Sequence, residues 1–201
     1  MRVSLSHILN DLERNINNCQ KLVTKVKNLG IHRIQVEMIT ELAFLRVFIA
    51  WENFLEDSFI RYLVGAKSPS GYIPNRFVNP ANMEIAKNII SGERRVYIRW
   101  NSAGEVIARS EIYFKGGEPY GNVLRGATTD LNEMNVIRNR ITHMSTISKA
   151  KFSNFVRRRF GHGKRGMTPG RLLLTPQVTQ TTFFDYYIDI IKTTSKIIIK
   201  I

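Results

Sequence analysis

The chain contains one cysteine, Cys19, which excludes an intrachain disulfide and a cysteine-based zinc cluster. Cys19 falls on an apolar helical stripe and reads as a small buried hydrophobe. Long apolar runs are also missing. The greasiest stretch, residues 42–55, is interrupted by Arg46 and Glu52 and is too short to span a membrane. No apolar signal core precedes Asp11 and Glu13, so a cytoplasmic protein with no membrane partner is expected. Repeats and low-complexity tracts are absent. No second histidine, cysteine or carboxylate stands at ligand spacing beside His143, so neither a metal nor a cofactor is expected.

The most telling scarcity is that of acidic residues. The 201 residues hold 30 Lys+Arg against 16 Asp+Glu, a formal charge of +14. Within residues 138–171 there are ten Lys and Arg (138, 140, 149, 151, 157, 158, 159, 164, 165 and 171) and no Asp or Glu. A solvated helix face normally interleaves both signs, so this block points to a polyanionic partner, either nucleic acid or an anionic membrane surface. Arg140, Lys149, Lys151, Arg157, Arg158, Arg159, Lys164 and Arg165 are the candidate phosphate contacts. They would supply salt-sensitive affinity without sequence information. A membrane-surface role is disfavoured, because no clean apolar face accompanies the charges. Phe152, Phe155 and Phe160 interleave the cations. They could stack on unpaired bases, but their spacing also fits a buried helix face, which is the favoured reading. Residues 161–166, G-H-G-K-R-G, match G-x-G-x-x-G literally. A dinucleotide fingerprint needs a strand before and a helix after, and neither is expected here. A flexible basic loop with His162 exposed is expected instead.

Helical periodicity dominates the remainder. Leu9, Leu12, Ile16, Cys19, Val23 and Val26 form one face of a helix over residues 4–29, closed by Gly30. A second helix over 34–64 is apolar on most sides and belongs in a bundle or an interface. Residues 67–75 read as a loop. A short helix is expected between Pro80 and Gly92, and Val96, Ile98 and Trp100 alternate as in a short strand. Ser102 and Glu105 have capping-box spacing, favouring a helix over 103–115. Thr128 or Thr129 can cap a helix whose inner stripe is Leu131, Met134, Ile137, Ile141 and Met144. The tail 182–201 is amphipathic. The expectation is an all-α fold of one domain over 1–201. Its core is a four-helix bundle with an irregular insertion at about 67–126, between helices 2 and 3.

On the third main helix lies V-I-R-N-R-I-T-H, residues 136–143. Asn139 and His143 are four apart and share a face, whereas Arg138 is about 140° around from His143. An imidazole can shuttle a proton near neutral pH, and an arginine fork can hold charge building on a phosphorane. Asn139 can hold the imidazole or a phosphate oxygen. On a straight helix Arg138 and His143 converge poorly, so either two copies build the site jointly or the helix bends.

Arg138-Asn139-Arg140-Ile141-Thr142-His143 resembles the R-x(4–6)-H motif of the HEPN superfamily. With Trp51-Glu52 on a long second helix and Trp100-Asn101-Ser102, most of the chain is similar to the RiboL-PSP-type branch. Thr142 replaces the alanine expected there. The resemblance implies a four-helix bundle and a homodimer with two motifs in its cleft. It also implies metal-independent endoribonuclease activity in a toxin or antiviral defence system. The ribose 2′-OH would attack the adjacent phosphate, leaving a 2′,3′-cyclic phosphate. His143 would be general acid/base, Arg138 would stabilise the transition state and Asn139 would orient. An antitoxin protein is implied as a partner. Glu52 could support the motif by pairing Arg138 or Arg46, or form a purely structural ion pair. The competing reading is a non-catalytic RNA- or protein-binding helical bundle.

Overall fold

The structure, a computed structural model, describes residues 4–92, 98–177 and 181–200. Among these the chain is all-α, 72% helical, with nine α-helices and no strand. Helix α1 (Leu5–Lys27) buries its whole predicted stripe, from Leu9 to Val26 and including Cys19. It gives way to a turn through Gly30, whose φ of +63° favours a residue without a Cβ. Helix α2 (Arg33–Leu63) has two apolar faces. Phe44, Phe48, Trp51, Phe54, Leu55, Phe59 and Ile60 are buried, whereas Ile34, Met38, Leu42 and Ile49 are exposed.

The region 67–126 holds the two short helices expected within the irregular insertion and two further short helical pieces. It carries α3 (Met83–Ser91), α4 (Ala103–Tyr113), a 3-10 turn (Lys115–Gly117) and α5 (Gly121–Gly126). The caps explain why. Asn82 accepts from the Ile85 amide and Gly92 closes α3, while Ser102 accepts from the Glu105 amide to open α4. Ile98 and Trp100 lie in no strand, and Val96 falls outside the described residues. Trp100 is instead a buried aromatic against Phe59, at 5.3 Å. The remaining helices are α6 (Thr128–Thr142), α7 (Thr146–Phe160), α8 (Pro169–Leu174) and α9 (Phe183–Ile199).

The chain divides into two units, and α1, α2, α6 and α9 each give residues to both. The first comprises Met1–Glu13, Ala50–Thr129 and Ile191–Ile201. Its centre is Phe59, with the rings of Phe114 at 4.9 Å and Tyr120 at 5.2 Å. Buried phenols find partners there: Tyr120 donates to Ser58 Oγ (2.9 Å) and Tyr62 to the Ile198 carbonyl (3.0 Å). Burial above all pushes both phenols well above their ordinary range; Tyr72 adds to it at Tyr62, while at Tyr120 the Ser58 hydrogen bond opposes it and Tyr62 adds to it, so both remain donors.

The second unit comprises Arg14–Ile49 and Asp130–Ile190. Its core gathers Phe44, Phe48, Leu131, Met134, Ile137, Phe152, Phe155, Phe184 and Tyr187. Helix α8 is seated on the α2 backbone. Gly170 approaches so closely that a Cβ there would stand 2.4 Å from the Glu37 backbone oxygen. The Gly170 amide donates to Glu41 (2.7 Å), and the Thr168 hydroxyl donates to Glu37 (2.7 Å). Gly170→Ala should therefore lower stability by about 1–3 kcal/mol through overpacking. Urea denaturation checks this: the midpoint should fall with the slope unchanged.

Candidate functional site

The motif lies at a helix end rather than within a helix. Helix α6 stops at Thr142, and Ser145 caps α7 by accepting from the Ser148 amide (3.2 Å). Three residues, His143, Met144 and Ser145, make the turn. Buried Ser148 closes it, its hydroxyl lying against the carbonyls of His143 and Ser145. This overturns two positions on the expected inner stripe. Met144 is 92% exposed because the helix has ended before it, and Ile141 is only half-buried. Leu131, Met134 and Ile137 are buried as expected.

Within α6, Arg138 Nη1 donates to Asn139 Oδ1 (3.1 Å), and Asn139 Nδ2 donates to Asn135 Oδ1 (3.3 Å). Both residues are half-buried. The Asn139 side chain is thus turned to Arg138, not to the imidazole. Arg138 Nε is buried without a hydrogen-bond partner, a state shared among the described residues only with Arg61 Nε and Gln177 Nε2. Such an atom carries a desolvation cost that an incoming acceptor would relieve. The His143 amide makes the last helical bond, to the Asn139 carbonyl (3.0 Å), and the residue is exposed. Among the described residues no side chain holds the imidazole.

The basic residues separate into tethered and free. Arg159 lies 3.9 Å from Glu133 and 5.3 Å from the centre of the Phe183 ring. Arg140 is half-buried, reaches Ser148 Oγ (3.5 Å), and acts electrostatically on Glu41. Lys164 stands 3.8 Å over the Phe160 ring. Lys149, Lys151, Arg157, Arg158 and Arg165 are exposed, as is His162. Phe152 and Phe155 are core residues, so they are not stacking platforms, and Phe160 is half-buried. Glu52 is half-buried in the first unit, whereas Arg46 and Arg138 belong to the second.

Four acidic residues that shape this region went unassigned to it from sequence. Asp130 and Glu133 accept from the Tyr186 and Tyr187 hydroxyls, each at 2.8 Å. Glu37 accepts from Arg33 (3.0 Å), Thr168 and Arg171 (3.4 Å). Burial pushes the Glu37 carboxyl up, but Thr168, Arg171 and Arg33 together outweigh it, leaving the group below its ordinary range. Burial also pushes Glu41 up, and there the Gly170 amide and Arg140 do not compensate. Two carboxylates one turn apart in the first half of α2 are the signal that could have found Glu37 and Glu41. Their oxygens are engaged within the fold, so they are anchors for α8.

Arg159→Ala should cost about 1 kcal/mol of stability through the lost ion pair and ring contact, whereas Arg158→Ala should be near neutral. Paired thermal melts of the two variants test that division.

None of the protein-family models, curated proteins or solved structures compared with this chain matches it.

Proposed function

We propose that this protein is a metal-independent endoribonuclease acting on single-stranded RNA in a toxin or antiviral defence setting. The observation that carries the reading is the end of α6. A half-buried arginine with an unsatisfied Nε stands five residues before an exposed histidine, at the start of an acid-free basic segment. The resemblance of residues 138–143 to the HEPN motif supports the same chemistry.

In this reading the ribose 2′-OH attacks the adjacent phosphate. His143 takes the hydroxyl proton and returns one to the leaving 5′-oxygen, giving a 2′,3′-cyclic phosphate and a 5′-OH. Arg138 neutralises charge on the phosphorane oxygens, with Asn139 holding the guanidinium in place. The free cations of α7 and the following loop hold the strand. A second copy of the chain completes the site in a homodimer. Two features support that partner. Ile34, Met38, Leu42 and Ile49 lie within about 80° of one another on α2 and are all exposed. Met144 and Ile147 are exposed beside His143.

The unheld imidazole favours a second reading, a non-catalytic RNA- or protein-binding bundle. RNA cleavage in EDTA separates the two. His143→Ala and Arg138→Ala should each lower the rate about 100-fold or more, with unchanged circular dichroism and cyclic-phosphate ends in the wild type. Undiminished cleavage by His143→Ala would overturn the assignment. Leu42→Glu should give a monomer by analytical ultracentrifugation and lose cleavage with it. An active wild-type monomer would remove the shared site.

A further inference from the structure

The glycine-rich loop that follows α7 has no part in the cleavage chemistry above, yet it closes over a cavity. Between α7 and residues 163–167 lies a pocket of about 320 Å³, lined in part by Ser153, Val156, Arg157, Lys164, Arg165 and Met167. That volume is at the lower end of the roughly 300–1,000 Å³ typical of small-ligand sites. Three cations share its rim, and residues 138–171 contain no carboxylate to neutralise them. Among the described residues none of the three makes a salt bridge, in contrast to Arg159 and Arg171 of the same segment. Like charges gathered around one cavity repel, and an anion seated among them would remove that cost.

The walls are not uniformly polar. Val156 and Phe152 are buried, Met167 is half-buried, and all three face the cavity. The Lys164 ammonium lies over the Phe160 ring, which fixes the loop against α7. Gly161, in the left-handed region at φ +74°, lets the chain reverse directly after the last helical turn. A cationic rim over an apolar wall suits a ligand with an anionic end and a flat apolar body.

We infer that this pocket binds one nucleotide unit of a single-stranded RNA, with the phosphodiester held by Arg157, Lys164 and Arg165 and the base against Val156 and Met167. It is a strand-holding subsite separate from Arg138 and His143. It rests on the RNA reading for its ligand, but not on cleavage. The match of residues 161–166 to G-x-G-x-x-G thereby acquires a physical sense different from the dinucleotide one. The glycines shape a loop whose side chains, rather than a helix terminus, meet the phosphate.

The test is fluorescence anisotropy with a labelled single-stranded 12-mer RNA in EDTA, using His143→Ala so that the strand stays intact. Arg157→Ala/Arg165→Ala should weaken binding about tenfold and make the salt dependence shallower, each removed cation releasing about one counterion fewer. Lys21→Ala/Lys25→Ala, an equal charge change on exposed α1 residues, should leave it near the starting value. An abasic strand of the same length should bind several-fold more weakly than the RNA, and Met167→Ala should narrow that gap. Equal losses in the two double variants, or equal binding of the abasic strand, would overturn the pocket. Competition by adenosine monophosphate as strong as that by the strand would also overturn it, assigning the site to free nucleotides. Cleavage is scored separately on the wild type. RNA held in the pocket without cleavage would sink the nuclease reading and leave this one, and the reverse pattern would do the opposite.

Discussion

A segment with ten cations and no carboxylate has to find its counter-charges elsewhere in the fold, and this dependence organises the second unit. Arg159 meets Glu133 from the preceding helix, Arg171 meets Glu37 on α2, and Arg140 acts on Glu41 one turn further along α2. Each tether joins residues of α6 to α8 to a carboxylate placed outside the segment. Buried or half-buried ion pairs contribute little net stability when complete, but losing one partner is costly. Their main effect is therefore positional. Lys149, Lys151, Arg157, Arg158, Lys164 and Arg165 make no salt bridge among the described residues, and under the proposed function they are the ones left to meet phosphate.

The same economy governs the α6–α7 turn. A helix that continued through residue 145 would turn Met144 onto the stripe of Leu131, Met134 and Ile137. Ser145 ends that possibility by capping α7, and Ser148 ties the turn from inside through contacts to two carbonyls. Arg140 reaches Ser148 as well, so the turn that presents His143 is linked to the residue acting on Glu41. Arg138 stays on the helix and keeps its neighbour Asn139. The histidine is released into solvent and the arginine is held.

Local signals were legible wherever the information was local. The stripe of α1, the Ser102 and Glu105 spacing at the start of α4, and Gly92 at the end of α3 all describe contacts within a few residues, and each has its structural counterpart. Periodicity failed at Met144 because an apolar residue at helical spacing does not reveal that the next helix has already been capped. Ser145 and Ser148 lack the acidic partner of a full capping box, so the boundary was faint. Long-range partnerships were not legible at all. Nothing beside Glu37 or Glu41 announces Thr168 and Gly170, about 130 positions away in the chain. The second apolar face of α2 was visible as excess hydrophobicity, but a core face and an exposed stripe read alike in sequence.

Glu37 and Glu41 also act against each other as pH changes. Glu37 is held below its ordinary range, so its contribution is present above the unfolded carboxylate value and fades as pH falls through the folded one. Glu41 is raised by burial, so it opposes folding once ionised, and acidification relieves that cost. Both receive α8, one through Thr168 and the other through the Gly170 amide. As pH falls, the anchor weakens at one carboxylate while strain eases at the other, which blunts the response of the α2–α8 contact to acid. Arg140 enters this balance by favouring ionised Glu41. The motif helix and the seat of α8 are therefore electrostatically linked, and the link passes through the one arginine of residues 136–143 to which the sequence assigned no chemistry beyond its charge.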